Sequence, residues 1–146
     1  MRNPALMADL PAELLTRLKR QAGNRCGYCR TSVLITGHPL TVEHIIPLAR
    51  GGPSREDDWW LSCRRCNEYK SIHIYGIDPD TGKQVPVFHP RRQAWHEHFA
   101  WSGDGTQVIG LTPCGRATVL ALKLNNDDMI AARRLWISVG WHPRDE

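Results

Sequence analysis

Near the start of the chain, apolar residues recur on a helical period; further along they gather into shorter, denser runs. Leu14, Leu15 and Leu18 mark one face of an amphipathic helix predicted over 9–22. Asp9 can cap it, Pro11 suits its first turn, and Gly23-Asn24 ends it. Val33 to Thr36 and Leu40 to Glu43 have β-branched character and predict two short strands around the turn residues Gly37-His38-Pro39. Pro47 and Gly51-Gly52-Pro53 break the chain before Trp59-Trp60-Leu61-Ser62, which reads as a buried strand. Cys63 to Ile72 then reads as a helix. Strand, loop, strand and helix add up to a ββα unit.

Past residue 75 the pattern becomes turn-rich and then helical. Asp78-Pro79-Asp80-Thr81-Gly82 predicts turns, Val85 to His89 an extended segment, and Pro90 to Phe99 a short helix. Thr106 to Leu111 reads as a strand. Thr112-Pro113 begins a helix of about a dozen residues to Asn125, and Asn126 or Asp127 a last one through Val139. The expected organisation is a core with its N-terminal helix over 1–75 and an α-rich C-terminal extension over 76–146 packed on that core. The fold class is α+β.

The cysteines sharpen this picture more than composition does. Cys26/Cys29 and Cys63/Cys66 each leave the two-residue gap that lets both sulfurs reach one ion. Four thiolates fill a tetrahedral zinc shell, so this ion has no open position for water and its role is structural. Cys114 is left over and reads as a small buried hydrophobe. No signal peptide opens the chain and no apolar run reaches the length of a membrane span. The expectation is therefore a cytoplasmic protein whose thiols hold metal. The net charge is +4, and only four of the 19 basic residues are lysine. Arginine's planar fork suits phosphate, so the bias leans towards a polyanionic partner.

Chemistry then requires a second metal. Glu43, at a strand end, and Asn67, in the first turn after Cys66, offer hard oxygen ligands for magnesium or manganese. His44 is free to act as a base on water near neutral pH.

The run Val42-Glu43-His44-Ile45-Ile46-Pro47, then Gly51-Gly52, then Cys63-Arg64-Arg65-Cys66-Asn67-Glu68-Tyr69-Lys70 resembles the HNH endonuclease family. The likeness is greatest to its zinc-stapled bacterial branch, with paired C-x-x-C motifs and a ββα-metal (His-Me finger) core. Pro90-Arg91-Arg92, Trp95 to Phe99, Leu111 to Pro113 and Gly115 to Thr118 are similar to the tail of one bacterial subgroup. The resemblance makes His44 the general base, Glu43 the metal-binding acid where aspartate is commoner, and Asn67 the final metal ligand. Asp58 stands where the family carries an asparagine that braces the histidine's loop. An aspartate there can orient His44 and favours its protonated form.

The implied function is metal-dependent hydrolysis of DNA phosphodiesters, with double-stranded DNA as the expected substrate, leaving 5′-phosphate and 3′-hydroxyl ends. The cofactors are structural Zn2+ and catalytic Mg2+ or Mn2+. Arg64, Arg65 and Lys70 flank the active helix as candidate phosphate contacts, with Arg91 and Arg92 standing similarly. A protein partner or homo-oligomer is compatible with this reading, and no membrane is expected. The rival is a non-catalytic zinc-ribbon-like module that binds nucleic acid, with Glu43 and His44 incidental.

Overall fold

A computed structural model describes residues 11–52 and 55–144, and these divide into two compact units. One comprises the chain up to Ile74 together with His89–Gln93; the other comprises Tyr75–Phe88 and the chain from Ala94 onward. Among the described residues no helix is long and apolar enough to cross a membrane.

The first unit opens with α1 (Ala12–Ala22), which buries Leu18 and Ala22. Lys19 and Arg20 in the last turn complement the helix dipole, and Gly23 closes it at φ 63, a left-handed value that favours glycine. The predicted Asp9 cap lies outside the described residues. Val33–Thr36 is a one-turn helix, α2, rather than the expected strand. Ser32 Oγ accepts from Leu34 N–H at one end and Gly37 adopts φ 70 at the other, so paired caps override β-branched propensity.

Strand β1 (Thr41–His44) pairs antiparallel with β2 (Trp59–Ser62), in the register Thr41↔Ser62, Val42↔Leu61, Glu43↔Trp60 and His44↔Trp59. Val42 and Leu61 are buried, so a cross-strand apolar pair anchors the ribbon. Helix α3 (Arg64–Lys70) follows and packs on β1. Its N-cap is Cys63, whose sulfur accepts from Cys66 N–H at 3.4 Å. It ends sooner than the predicted Ile72, because Ser71 takes a positive φ of 49. Two strands and one helix thus form the ββα unit that the pattern predicted.

In the second unit, two hairpins pack against one helix. β3 (Tyr75–Ile77) pairs with β4 (Gln84–Pro86), and β5 (Phe99–Trp101) with β6 (Val108–Gly110). Pro90 to Phe99, expected to be helical, contributes only the single turn α4 (Trp95–His98); Phe99 is already in strand β5. Helix α5 (Pro113–Ala121) lies against β3, β4 and β6, capped by Thr112 through Gly115 N–H. A side chain at Gly115 would bring its Cβ within 2.1 Å of the His98 carbonyl oxygen, so only glycine allows that approach. The helix stops before the expected Asn125, whose amide instead bonds both backbone groups of Val108. Helix α6 (Asp127–Ser138) is capped by Asn126 and buries Arg133, which donates to the carbonyls of Thr106 and Leu124.

Candidate active site and metal cluster

Cys26, Cys29, Cys63 and Cys66 bring their sulfurs within 4.8 Å of one another, with Cys29 and Cys63 3.7 Å apart. A tetrahedron with metal–sulfur arms of about 2.3 Å has edges of about 3.8 Å, so these residues fit zinc. Burial pushes the Cys26 thiol well up, while its sulfur neighbours hold Cys29 well down. Four packed sulfurs cannot all be thiolates unless a cation offsets their charge. Among the described residues no other group of three His, Cys, Asp or Glu ligands converges so tightly.

The cluster fixes both ends of the ββα unit, one pair before β1 and the other at the head of α3. Between them, β1 carries Thr41 and Glu43 at alternate positions of one face. The Glu43 carboxylate is buried, and burial pushes it up against the opposing pull of the Lys70 ammonium and the Tyr28 hydroxyl. Asn67 approaches the same face of β1, donating from Nδ2 to Thr41 Oγ1 at 3.4 Å. Glu43 Oε1 and Asn67 Oδ1 are both buried acceptors with no hydrogen-bond donor. Two hard oxygens left open in this way fit a divalent cation that keeps waters in its remaining positions.

His44 ends the strand, next to Glu43. Its ring meets its cross-strand partner Trp59 edge-on, with centroids 6.0 Å apart. Asp58, at the end of a short 3-10 turn (Glu56–Asp58), fastens the chain just after the histidine. Its backbone carbonyl accepts from Ile45 N–H at 2.8 Å and its Oδ1 from Ile46 N–H at 3.1 Å. Its Oδ2 lies 3.6 Å from His44 Nδ1. The imidazole side chain remains 9% exposed while Asp58 is fully covered. Gly52 closes the intervening loop, because a Cβ there would fall 1.8 Å from the Ile46 carbonyl oxygen.

The candidate phosphate contacts separate. Arg64 is exposed and pairs with Glu68 at 2.9 Å, and Arg65 is half-buried. Lys70 is only 1% exposed and its Nζ donates to the Ile45 carbonyl at 2.6 Å. The expectation of Lys70 as a surface phosphate contact is therefore corrected. One helical turn past Asn67, its side chain points at the ribbon and braces the strand exit behind His44. Arg91 lies over the Trp60 ring, 5.0 Å from its centroid, and donates to Gln21 Oε1.

One residue of the site lacks any mark in the motif. Thr41 anchors the Asn67 amide, and its signal is a period-two spacing from Glu43.

An antiparallel ribbon and a helix pinned by a four-cysteine metal cluster define a ββα-metal unit. Residues 26–71 match the family model described as HNH endonuclease, and the ββα-metal fold of this stretch fits that match. No curated protein and no solved structure matched the chain.

Proposed function

We propose that the chain is a metal-dependent endonuclease that hydrolyses phosphodiester bonds of DNA, with double-stranded DNA as its substrate. The observation that carries this reading is the pairing of Asp58 with both His44 and the chain beyond it. Asp58 Oδ1 is committed to the Ile46 N–H, so Oδ2 is left to accept from His44 Nδ1–H. That choice of tautomer leaves the lone pair on Nε2, where a water proton can be taken. The 3.6 Å separation closes to a hydrogen bond as the imidazole gains charge.

Glu43 Oε1 and Asn67 Oδ1 would hold the divalent ion. When bound, such an ion supplies a Lewis acid for the phosphate and the leaving oxygen. Thr41 holds the Asn67 amide so that its oxygen, not its nitrogen, is presented. Lys70 supplies a buried positive charge that favours the ionised Glu43 and, through Ile45, fixes the strand exit. Arg65 and Arg64 on the outer face of α3 are the phosphate contacts.

Nicking of supercoiled plasmid with Mg2+ or Mn2+ tests the reading. The parent should convert the plasmid, and His44→Ala should lose about 10²–10⁴ of the rate. Cleavage that survives His44→Ala, or DNA binding without cleavage under any divalent ion, would instead support a zinc-ribbon-like binding module.

A further inference from the structure

Away from α3, the first unit gathers a second set of arginines round a cleft. Arg17 and Gln21, one turn apart on α1, line it with Arg55, Glu56, Asp57 and Arg91, enclosing a space of about 490 Å³. The acids there are already matched. Arg17 holds Glu56 from Nε and Nη2, at 2.7 and 3.2 Å, and Arg55 Nε lies 3.3 Å from Asp57. Three guanidiniums against two carboxylates leave one positive charge over. Arg91 carries it, because its Nη2 donates to an amide instead, Gln21 Oε1 at 3.1 Å.

The Arg91 plane is set before any ligand arrives. Its guanidinium carbon lies 5.0 Å from the centroid of the Trp60 ring, where cation–π attraction holds it flat. Its Nε is buried and has no acceptor, a cost that an incoming anion can offset. Nε and Nη2 form the fork that takes two oxygens side by side, as the same pair of nitrogens in Arg17 does with Glu56. Gln21 is an exposed side chain, so the amide on this edge can swing aside. The position of the cleft favours a phosphodiester over a carboxylate as its ligand. The turn that lines it ends at Asp58, which lies against His44, and the indole beneath Arg91 belongs to the cross-strand partner of Glu43. A DNA strand brought to the ribbon carries a row of phosphates, and contacts to those that do not react set its register.

We propose that this cleft seats a backbone phosphodiester of the DNA other than the one cleaved, held by the Nε/Nη2 edge of Arg91 once Gln21 has moved, with Arg17 and Arg55 as flanking charge. This inference rests on the reading of the chain as a DNA endonuclease, and adds a contact that α3 does not supply.

Binding of a short fluorescent DNA duplex to the zinc-loaded chain, without added divalent ion and across a salt series, tests it apart from nicking. Arg91→Ala should weaken binding about tenfold at low salt and flatten the log–log salt slope by about one. Gln21→Glu leaves the guanidinium on its indole but occupies the fork with a carboxylate, so it should reproduce both changes. Gln21→Ala uncovers the fork and should bind as well as the parent or better. Parent-like affinity and slope in Arg91→Ala and Gln21→Glu overturn the inference, and plasmid nicking by the parent then keeps the nuclease reading. A loss in Arg91→Ala with none in Gln21→Glu also overturns it, because Arg91 then acts by packing on Trp60. Weaker binding of a polyglutamate peptide by Arg91→Ala, with duplex binding unchanged, overturns it in favour of an acidic protein. A parent that binds no duplex removes both readings.

Discussion

Asp58 and Asp78 are both fully covered carboxylates, one in each unit, and their surroundings differ sharply. Asp78 accepts from Asp80 N–H, from Thr81 Oγ1 and from two nitrogens of Arg116. The Arg116 guanidinium, first among these partners, holds its carboxyl well below the usual carboxylate range. Asp58 has one oxygen engaged and the other waiting 3.6 Å from an imidazole, and burial pushes its carboxyl up. Glu43 and Asn67, in the same unit as Asp58, likewise keep unpaired buried acceptors. An unpaired buried acceptor costs stability unless something else engages it. The hairpin turn of the second unit engages its polar groups in structure, whereas the ββα unit leaves several buried acceptors without donors.

The largest test of that contrast removes the metal cluster. Cys66→Ser, or exhaustive chelation, should abolish the cooperative unfolding of residues 26–71 and all nicking, because the binding free energy of a structural zinc is folding free energy. Circular dichroism and amide exchange at Val42 and Leu61 read this out; a melting temperature within a few degrees of the parent would remove the cluster from its role as staple.

Next comes Asp58→Asn, which supplies the family's commoner letter. On the proposed tautomer, Ile46 N–H and His44 Nδ1–H both require an acceptor, and only a carboxylate offers a separate oxygen to each. The variant should keep its fold and lose about 10–100-fold in nicking rate. An undiminished rate would show that the tautomer is set elsewhere.

Asp78→Asn should do the reverse, lowering the melting temperature at neutral pH without touching the chemistry. The carboxyl is depressed in the folded state, so its contribution is present above the unfolded value of about 3.9 and fades as pH falls below it. Parent and variant melting curves should therefore converge in strong acid; a constant gap would mean that charge is not the cause.

The smallest effect concerns His89, in the first unit. Burial, followed by the Arg92 charge, lowers it to about 4, and its Nδ1 accepts from Arg92 N–H. An unfolded histidine titrates near 6.5, so between about 6.5 and 4 the unfolded chain binds the extra proton and stability falls with pH. Urea titrations across that window should show a decline in the parent that is reduced in His89→Gln.

Much of the ββα unit was legible in sequence, and the reasons are local. Two C-x-x-C pairs bring sulfurs together through turns of four residues, and β2 announced itself through Trp59, Trp60 and Leu61. Where local signals competed, the reading failed. Val33–Thr36 looks like a strand by composition, yet Ser32 and Gly37 cap it as a helix. The Tyr75–Ile77 strand carried too little pattern in three residues to be seen, and it exists because Gln84–Pro86 pairs with it. Lys70 looks like a surface cation beside Arg64 and Arg65, but the seven-residue helix turns it inward onto Ile45.

The sequence by itself determined the inventory of the site: four sulfurs, a glutamate next to a histidine, an aspartate, an asparagine and the spacing between them. Tertiary structure decided how each is used. It turned Asp58 Oδ2 towards His44 Nδ1, left Glu43 Oε1 and Asn67 Oδ1 without donors, and buried Lys70. Metal spacing is legible because a chelate closes over a few residues. A hydrogen-bond partner that comes from a distant strand or helix is not, because pairing register and helix rotation choose it only once the chain has packed.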